Sequence, residues 1–205
     1  RTVSSAGAAG PWQFMPYGGA IYGLHRSFWV EERFNPERST RAVTLYLGDL
    51  HHRYGSWELA LAAYNAGYGS VGRAIAKYNT NDYWRLVGYE AGLPHETTTY
   101  VPKLMAGAIV SLNLDRFGLR PSPVRPAWDY ALIEVPGGTP LQRVAQLAGV
   151  TVAEMRALNP ELLRHRTPPG PLYELRLPRA ALATWLAHAP RGSMTDPQLV
   201  PYQVK

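Results

Sequence analysis

Cysteine is absent from the 205 residues of this chain, which excludes disulfides, thiolate metal ligands and cysteine nucleophiles. Long apolar runs are absent as well, and nothing approaches the 18 consecutive apolar residues that read as a membrane span. No secretory pattern opens the sequence; Arg1 leads directly into small residues. The six histidines include the adjacent pair His51-His52 but no His-Glu-x-x-His or similar ligand spacing, so no metal is expected. No glycine-rich loop follows a strand, because Gly67 to Gly72 falls between helical segments, so no nucleotide or other cofactor is expected either. Basic residues outnumber acidic ones by 21 to 15, a net charge of +6, yet no five-residue cluster of Lys and Arg occurs. Scattered basicity lacks the footprint of a nucleic-acid binder; it reads first as solubility and second as a preference for anionic partners.

What is present divides in two. Up to about Arg120 the pattern is helical throughout, with no period-two alternation. Asn35-Pro36 reads as a cap followed by proline at the first helical position. Val43, Leu47, Leu50 and Tyr54 then recur at three- and four-residue spacing up to Gly55. Ser56 is expected to cap the next helix, which carries Leu59, Ala62, Ala63 and Ala66 and stops at Gly67. Ser70 opens a short helix, Asp82 caps another with Trp84 and Val87, and a longer one is expected after Pro102, closed by Gly118. The adjacent pair Glu31-Glu32 reads as a solvated surface, since chain neighbours rarely face one site.

Three prolines between Pro121 and Pro126 break any helix and mark a boundary. Beyond it, Tyr130 to Val135 reads as a strand and Pro136-Gly137-Gly138 as a turn. Thr139 and Thr151 are placed to cap two helices, the second ending at Asn159-Pro160, and Tyr173 to Leu177 reads as a closing strand. Leu141, Val144, Leu158 and Leu175 require burial. After Pro190 the composition is that of a linker, and Tyr202-Gln203-Val204-Lys205 reads as the start of a further strand. The expected organisation is residues 1–120, a linker at 121–128, a small unit at 129–189 and a second linker at 190–205.

Two stretches carry the chemistry. Ser4-Ser5-Ala6-Gly7-Ala8-Ala9-Gly10-Pro11-Trp12-Gln13-Phe14-Met15-Pro16 combines small residues with an aromatic face and an amide, and Ala62-Ala63-Tyr64-Asn65-Ala66-Gly67 follows some fifty residues later. Small residues let a backbone lie close to a bound chain, and Trp, Gln, Tyr and Asn suit a polysaccharide. A third stretch is Leu93-Pro94-x-Glu96-Thr97-x-x-Tyr100-Val101-Pro102-Lys103. In this order and spacing they resemble the signature motifs of the soluble-lytic-transglycosylase (goose-lysozyme-like) family, which cleaves the glycan strands of bacterial peptidoglycan. Glu32-Arg33-Phe34-Asn35-Pro36 adds a resemblance to the membrane-bound lytic transglycosylase D branch, where lysin motifs follow. Strand–helix–helix–strand with Asn159-Pro160 resembles such a motif, although the usual Gly-Asp-Thr-Leu is here Gly138-Thr139-Pro140-Leu141. That departure predicts packing against the helical domain in place of sugar binding.

The resemblance implies a mainly α fold, a lysozyme-like helical domain followed by a small α+β (βααβ) lysin-motif-like domain. It implies an enzyme that breaks the MurNAc-β-1,4-GlcNAc bond and closes a 1,6-anhydro ring, without metal or cofactor. Its general acid and base is a Glu in the pattern Glu-Ser-x-Phe-x-Pro-x-Ala-x-Ser. The last Ser aligns with Ser4, so that Glu is expected about six residues ahead of Arg1 and the chain alone is expected to be inactive. Within this resemblance Ser4 polarises the acetamido group, and Gln13 and Met15 line the cleft near the scissile bond. Tyr64 orients the catalytic carboxylate, Asn65 contacts sugar, Glu96 is a substrate-binding carboxylate and Tyr100 a cleft wall. Trp12, Phe14, Met15 and the Ala-rich helix around Ala62 would supply the apolar setting that raises an acid's pKa. Phe14 is expected in the core. The implied partner is peptidoglycan and not nucleic acid. The implied location is the periplasm of a Gram-negative bacterium, as a monomer, with a lipid anchor at the outer membrane lying upstream. Two alternatives stand beside this reading: a glycan-binding relic of the fold without a catalytic acid, and a goose-type lysozyme that hydrolyses.

Overall fold

Residues 1–122 and 128–190 are described in a computed structural model of the chain; apart from Pro190, the expected linker and strand at 190–205 lie outside them, as does most of the linker at 121–128. The described residues form two compact units, residues 43–122 and residues 1–42 with 128–190. The helix α2 (Pro36–Tyr54) contributes its first turns to the latter and the rest to the former.

In the unit of residues 43–122, α2 is followed by α3 (Trp57–Ala66), α4 (Tyr68–Tyr78), α5 (Tyr83–Gly88) and α6 (His95–Leu112), then a 3-10 turn at Leu114–Phe117. The Ser56 hydroxyl accepts from the Leu59 amide and the Asp82 carboxylate from those of Trp84 and Arg85, so both expected caps are present. Helix α3 is central: Leu59, Ala60, Ala62 and Ala63 are fully buried, and the small size of the three alanines lets α4 and α6 pack close against it. Val71, Leu86 and Val101 complete that core.

Three boundaries differ from the sequence reading. The long helix α6 ends at Leu112 and not at Gly118, which instead closes the 3-10 turn Leu114–Phe117 at φ +65°. Helix α4 begins at Tyr68, directly after Gly67 at φ +83°, and not at Ser70. Helix α6 begins at His95 and carries Pro102 inside it. A proline there deprives the Thr98 carbonyl of its i+4 donor. The buried Tyr83 hydroxyl lies 3.3 Å from that carbonyl and 3.2 Å from the Thr97 carbonyl, supplying the missing donor from α5.

The other unit contains α1 (Pro16–Ile21), a 3-10 turn at Glu32–Phe34, β1 (Tyr130–Pro136), α7 (Leu141–Ala148), α8 (Val152–Leu158), β2 (Leu172–Pro178) and α9 (Leu182–His188). Strands β1 and β2 pair antiparallel, with Ile133 opposite Leu175 and Tyr130 opposite Pro178. Ala131, Ile133 and Val135 alternate inward onto a core of Leu141, Val144, Met155, Leu162, Leu175 and Leu177. Leu158 is only half-buried. Thr151 and Glu154 form a reciprocal capping box on α8. Thr139 does not cap α7. Its hydroxyl donates to the Pro136 carbonyl within the turn, its N–H donates to the Thr167 hydroxyl, and Pro140 takes the cap position without a side-chain bond. Helix α9 was not anticipated; its Trp185 closes one side of the core.

The N-terminal segment is part of this core's wall. Val30 packs against it and bridges Leu162, the Glu31 amide donates to the Glu161 carbonyl, and the Leu163 amide donates to the Trp29 carbonyl. The Arg1 guanidinium reaches the Pro160 carbonyl at 2.9 Å and also the Leu162 carbonyl. Arg176, buried in β2, pairs with Glu161 at 2.8 Å and Glu37 at 3.0 Å. Burial alone would lower the Arg176 pKa, but these two carboxylates and the Tyr130 hydroxyl raise it above its ordinary value. Among the described residues, no helix is long and apolar enough to cross a membrane.

Candidate functional site

Ser4, Gln13 and Met15 sit on one motif loop in the unit of residues 1–42 and 128–190. The loop is a pair of tight reversals. Ser4 closes the first, its N–H donating to the Ala8 carbonyl at 2.8 Å and its hydroxyl accepting from the Ala8 amide at 3.0 Å. Ala9 and Phe14 exchange backbone hydrogen bonds of 3.0 and 3.1 Å around the second, the turn Gly10–Gln13. Gly10 adopts φ +82°, and a Cβ there would fall 1.8 Å from the Arg33 carbonyl oxygen, so only glycine fits. Gln13 takes φ +49°, a region costly for a side chain with a Cβ, and its amide Nε2 donates to the Gly10 carbonyl at 2.7 Å. Phe14 is buried as expected, Met15 is exposed, and the Trp12 indole donates to the Thr40 hydroxyl at 2.8 Å.

Arg33 holds this loop, a role the sequence reading missed. Its Nη1 donates to the Phe14 carbonyl at 2.6 Å and the Gly7 carbonyl at 2.9 Å. Its Nε and Nη2 make a forked pair with Glu31, both bonds 2.8 Å. Glu31 and Glu32 are therefore not a solvated surface: they are 4% and 8% exposed. Glu31 also meets Arg26, while Glu32 pairs with Arg38 and accepts from the His25 amide at 2.9 Å. Asn35 next in the motif caps α2, its Oδ1 accepting from the Glu37 and Arg38 amides. The motif Glu32-Arg33-Phe34-Asn35-Pro36 thus anchors the loop at one end and starts a helix at the other.

Tyr64, Asn65, Glu96 and Tyr100 lie in the unit of residues 43–122. The last turn of α3 presents Tyr64 and Asn65; the first turns of α6 present Glu96, Thr97 and Tyr100. The buried Thr97, another residue the sequence reading gave no role, donates its hydroxyl proton to Asn65 Oδ1 at 2.6 Å. That fixes the amide so that Nδ2 faces Glu96 Oε1 at 3.4 Å. Asn65 therefore does not spend its side chain on its own helix end, and the exposed Glu96 carboxylate stays partly open to solvent and ligand. Tyr64 is half-buried with its ring 5.7 Å from that of Tyr46. Burial, with Tyr100 and Tyr46 adding to it, pushes the Tyr64 phenol up to about 12. Burial also raises Tyr100, and burial with Tyr54 and Tyr68 raises Tyr46. These phenols stay neutral, able to donate as well as accept, across any ordinary pH. Neutral hydroxyls, a clamped amide and one open carboxylate form a set suited to a polyhydroxylated, acetamido-bearing ligand. Among the described residues no group of three or more His, Asp or Glu side chains could hold a metal ion.

Comparison with known proteins agrees with the motifs. Residues 1–87 match the transglycosylase SLT domain family, and residues 130–192 match the LysM-like domain of lytic transglycosylase MltD. The chain is 33% identical over 164 residues to the membrane-bound lytic murein transglycosylase D of Escherichia coli K12, covering 78% of this chain and 35% of the relative. The same protein of E. coli O6:H1 matches to the same extent. A putative tributyltin chloride resistance protein of Alteromonas is 39% identical over 70 residues, 34% of each chain. The chain thus spans about a third of the length of the curated relatives it matches.

Proposed function

We propose that this chain, whose residues 1–87 match the transglycosylase SLT domain family, works on peptidoglycan glycan strands as part of a lytic transglycosylase. One observation carries the reading. The motifs Ala63-Tyr64-Asn65 and Pro94-x-Glu96-Thr97, about thirty residues apart, are joined by the Thr97–Asn65 and Asn65–Glu96 hydrogen bonds into one polar surface. In the proposed reaction a carboxylic acid gives its proton to the O4 leaving oxygen of the MurNAc-β-1,4-GlcNAc bond. The same carboxylate then takes the proton of the muramyl 6-hydroxyl as that oxygen attacks C1. The bond to O4 breaks, the 1,6-anhydro bond forms, and no water is consumed. The acid is the Glu of the family pattern, expected about six residues ahead of Arg1. Asn65 and Glu96 bind the sugar, Tyr64 and Tyr100 wall the cleft, Ser4 polarises the acetamido group, and Gln13 and Met15 flank the scissile bond.

We further propose the domain boundaries at 1–120 and 129–189, with linkers at 121–128 and from 190 on. The same reading puts the protein in the periplasm of a Gram-negative bacterium, as a monomer held at the outer membrane by an upstream lipid anchor. Digestion of purified sacculi by the full-length gene product tests the activity. Anhydro-muramyl ends detected by mass spectrometry support it. Reducing ends would make the protein a goose-type hydrolase, and binding without products would make it a relic of the fold.

A further inference from the structure

Between α4 and the loop leading into α6 lies a cavity of about 450 Å³, walled by Ser70, Arg73, Ala74 and Lys77 on one side and Leu93 and Pro94 on the other. No acidic residue lines it. The four α4 residues recur at i, i+3, i+4 and i+7, the spacing of a single helix face. In a helix docked on its neighbours such a face is usually apolar; here only Ala74 is buried, and Arg73 and Lys77 stand exposed. Like charges one turn apart weaken a helix. Among the described residues neither cation meets a carboxylate within ion-pair distance; Lys77 only overlies the Tyr78 ring at 4.9 Å. The opposite wall is fixed. A Cβ on Gly92 would fall 1.9 Å from the Leu86 carbonyl oxygen, so the loop is pressed onto α5, and Tyr89 just ahead of it stacks on Tyr78 at 4.2 Å. The cavity also adjoins the sugar-facing pair in the chain: α4 begins three residues after Asn65, and Pro94 precedes Glu96 by two.

We propose that this cavity is a subsite for the carboxylates of the peptide stems carried by the glycan strand, an inference that rests on the function proposed above. Arg offers a fork and Lys a point charge to an oxyanion. The Glu96 carboxylate repels a peptide carboxylate and accepts from neutral sugar donors. This sign pattern registers the strand: sugar at Asn65 and Glu96, stem at Arg73 and Lys77. The enzyme then prefers stem-bearing glycan to denuded glycan.

Titration calorimetry of this chain with inorganic phosphate and three glycan probes tests the subsite: chitotetraose, a muramyl glycan fragment with free stem carboxylates, and the same fragment with those carboxylates amidated. The free-acid fragment is expected to bind about tenfold more tightly than the amidated one, from one or two charge-assisted hydrogen bonds. The exposed pair Arg73→Gln/Lys77→Gln is expected to erase that difference while leaving chitotetraose binding and the melting temperature unchanged. Equal binding of the two fragments to the unaltered chain, or a preference surviving in the double variant, overturns the subsite while the glycan reading stands. Saturable binding of inorganic phosphate with no preference between fragments makes the cavity a free-anion site and overturns it too. Failure of all three glycan probes to bind brings down the function and the subsite together.

Discussion

Arg33 and Phe14 are joined by a 2.6 Å hydrogen bond from guanidinium to backbone carbonyl, and the same nitrogen reaches Gly7 at 2.9 Å. One side chain thereby closes the loop that presents Gln13 and Met15, and Glu31 neutralises it there. Arg33→Met should strip the Gly7 carbonyl of this donor and leave the Phe14 carbonyl with the Ala9 amide and the buried Glu31 carboxylate with Arg26. The expected loss is about 3 kcal/mol, the lower end for a broken buried pair because Arg26 still reaches Glu31. Urea denaturation measures it, and hydrogen exchange should speed up at the Ala9 and Phe14 amides. Adding Glu31→Gln should recover part of the loss. A single-variant change below ~1 kcal/mol would remove Arg33 from this role.

Asn65→Ala should weaken chitotetraose binding by about 1–3 kcal/mol and, since it also unhooks Thr97, lower stability by about 1 kcal/mol. Glu96→Ala should weaken binding similarly with little effect on the melting temperature, because its side chain is exposed. Binding unchanged in both variants would leave the Asn65–Glu96 pair as a helix fastener only.

Tyr83→Phe should cost about 1–2 kcal/mol by stripping the Thr98 carbonyl of its donor. In a Pro102→Ala background the restored amide can bond that carbonyl, so the same Tyr83→Phe change should cost less. A double-mutant cycle by thermal melting reads the difference; additive losses would show that the hydroxyl does not compensate for the proline.

Tyr64 sets an alkaline limit. Below pH about 10, the ordinary tyrosine pKa, it is protonated in folded and unfolded chain alike. Between pH 10 and its folded pKa of about 12 only the unfolded chain loses the proton. Stability is therefore full below pH 10 and falls as pH rises through this window. Tyr64→Phe should flatten part of that fall in melting-temperature profiles. A variant as steep as the parent would assign the slope to the other raised phenols, Tyr46, Tyr54, Tyr83, Tyr100, Tyr130 and Tyr173.

Features fixed by local chemistry were legible in the sequence. The caps at Asn35, Ser56, Asp82 and Thr151 require only a side chain and the next two or three amides. What was misread depends on partners distant in sequence. Pro102 looked like a helix start because nothing nearby announces Tyr83 as the substitute donor. Glu31 and Glu32 looked solvated because, although Arg33 and Arg38 are close in sequence, the Glu161 backbone and the Gly7 and Phe14 carbonyls that enclose the group are not. Helix α9 is seven residues long, and its signal was the Leu182–Trp185 spacing alone. In the site, the motif residues were readable by type and order. Thr97 was inside a quoted motif, but its bond to Asn65 spans thirty-two positions.

The wall that Val30 adds to the small core has a temporal side. Residues 1–42 leave the ribosome long before Leu162, Glu161 or Arg176 exists, so Arg1, Val30, Glu31 and Glu37 wait for partners more than a hundred residues behind them. Residues 43–122 meanwhile contain their own core and can close on local contacts. Synthesis therefore finishes the middle of the chain first. The segment bearing Ser4, Gln13 and Met15 acquires its final setting only when the last strand, β2, is made, so its correct assembly reports that translation has passed Pro178.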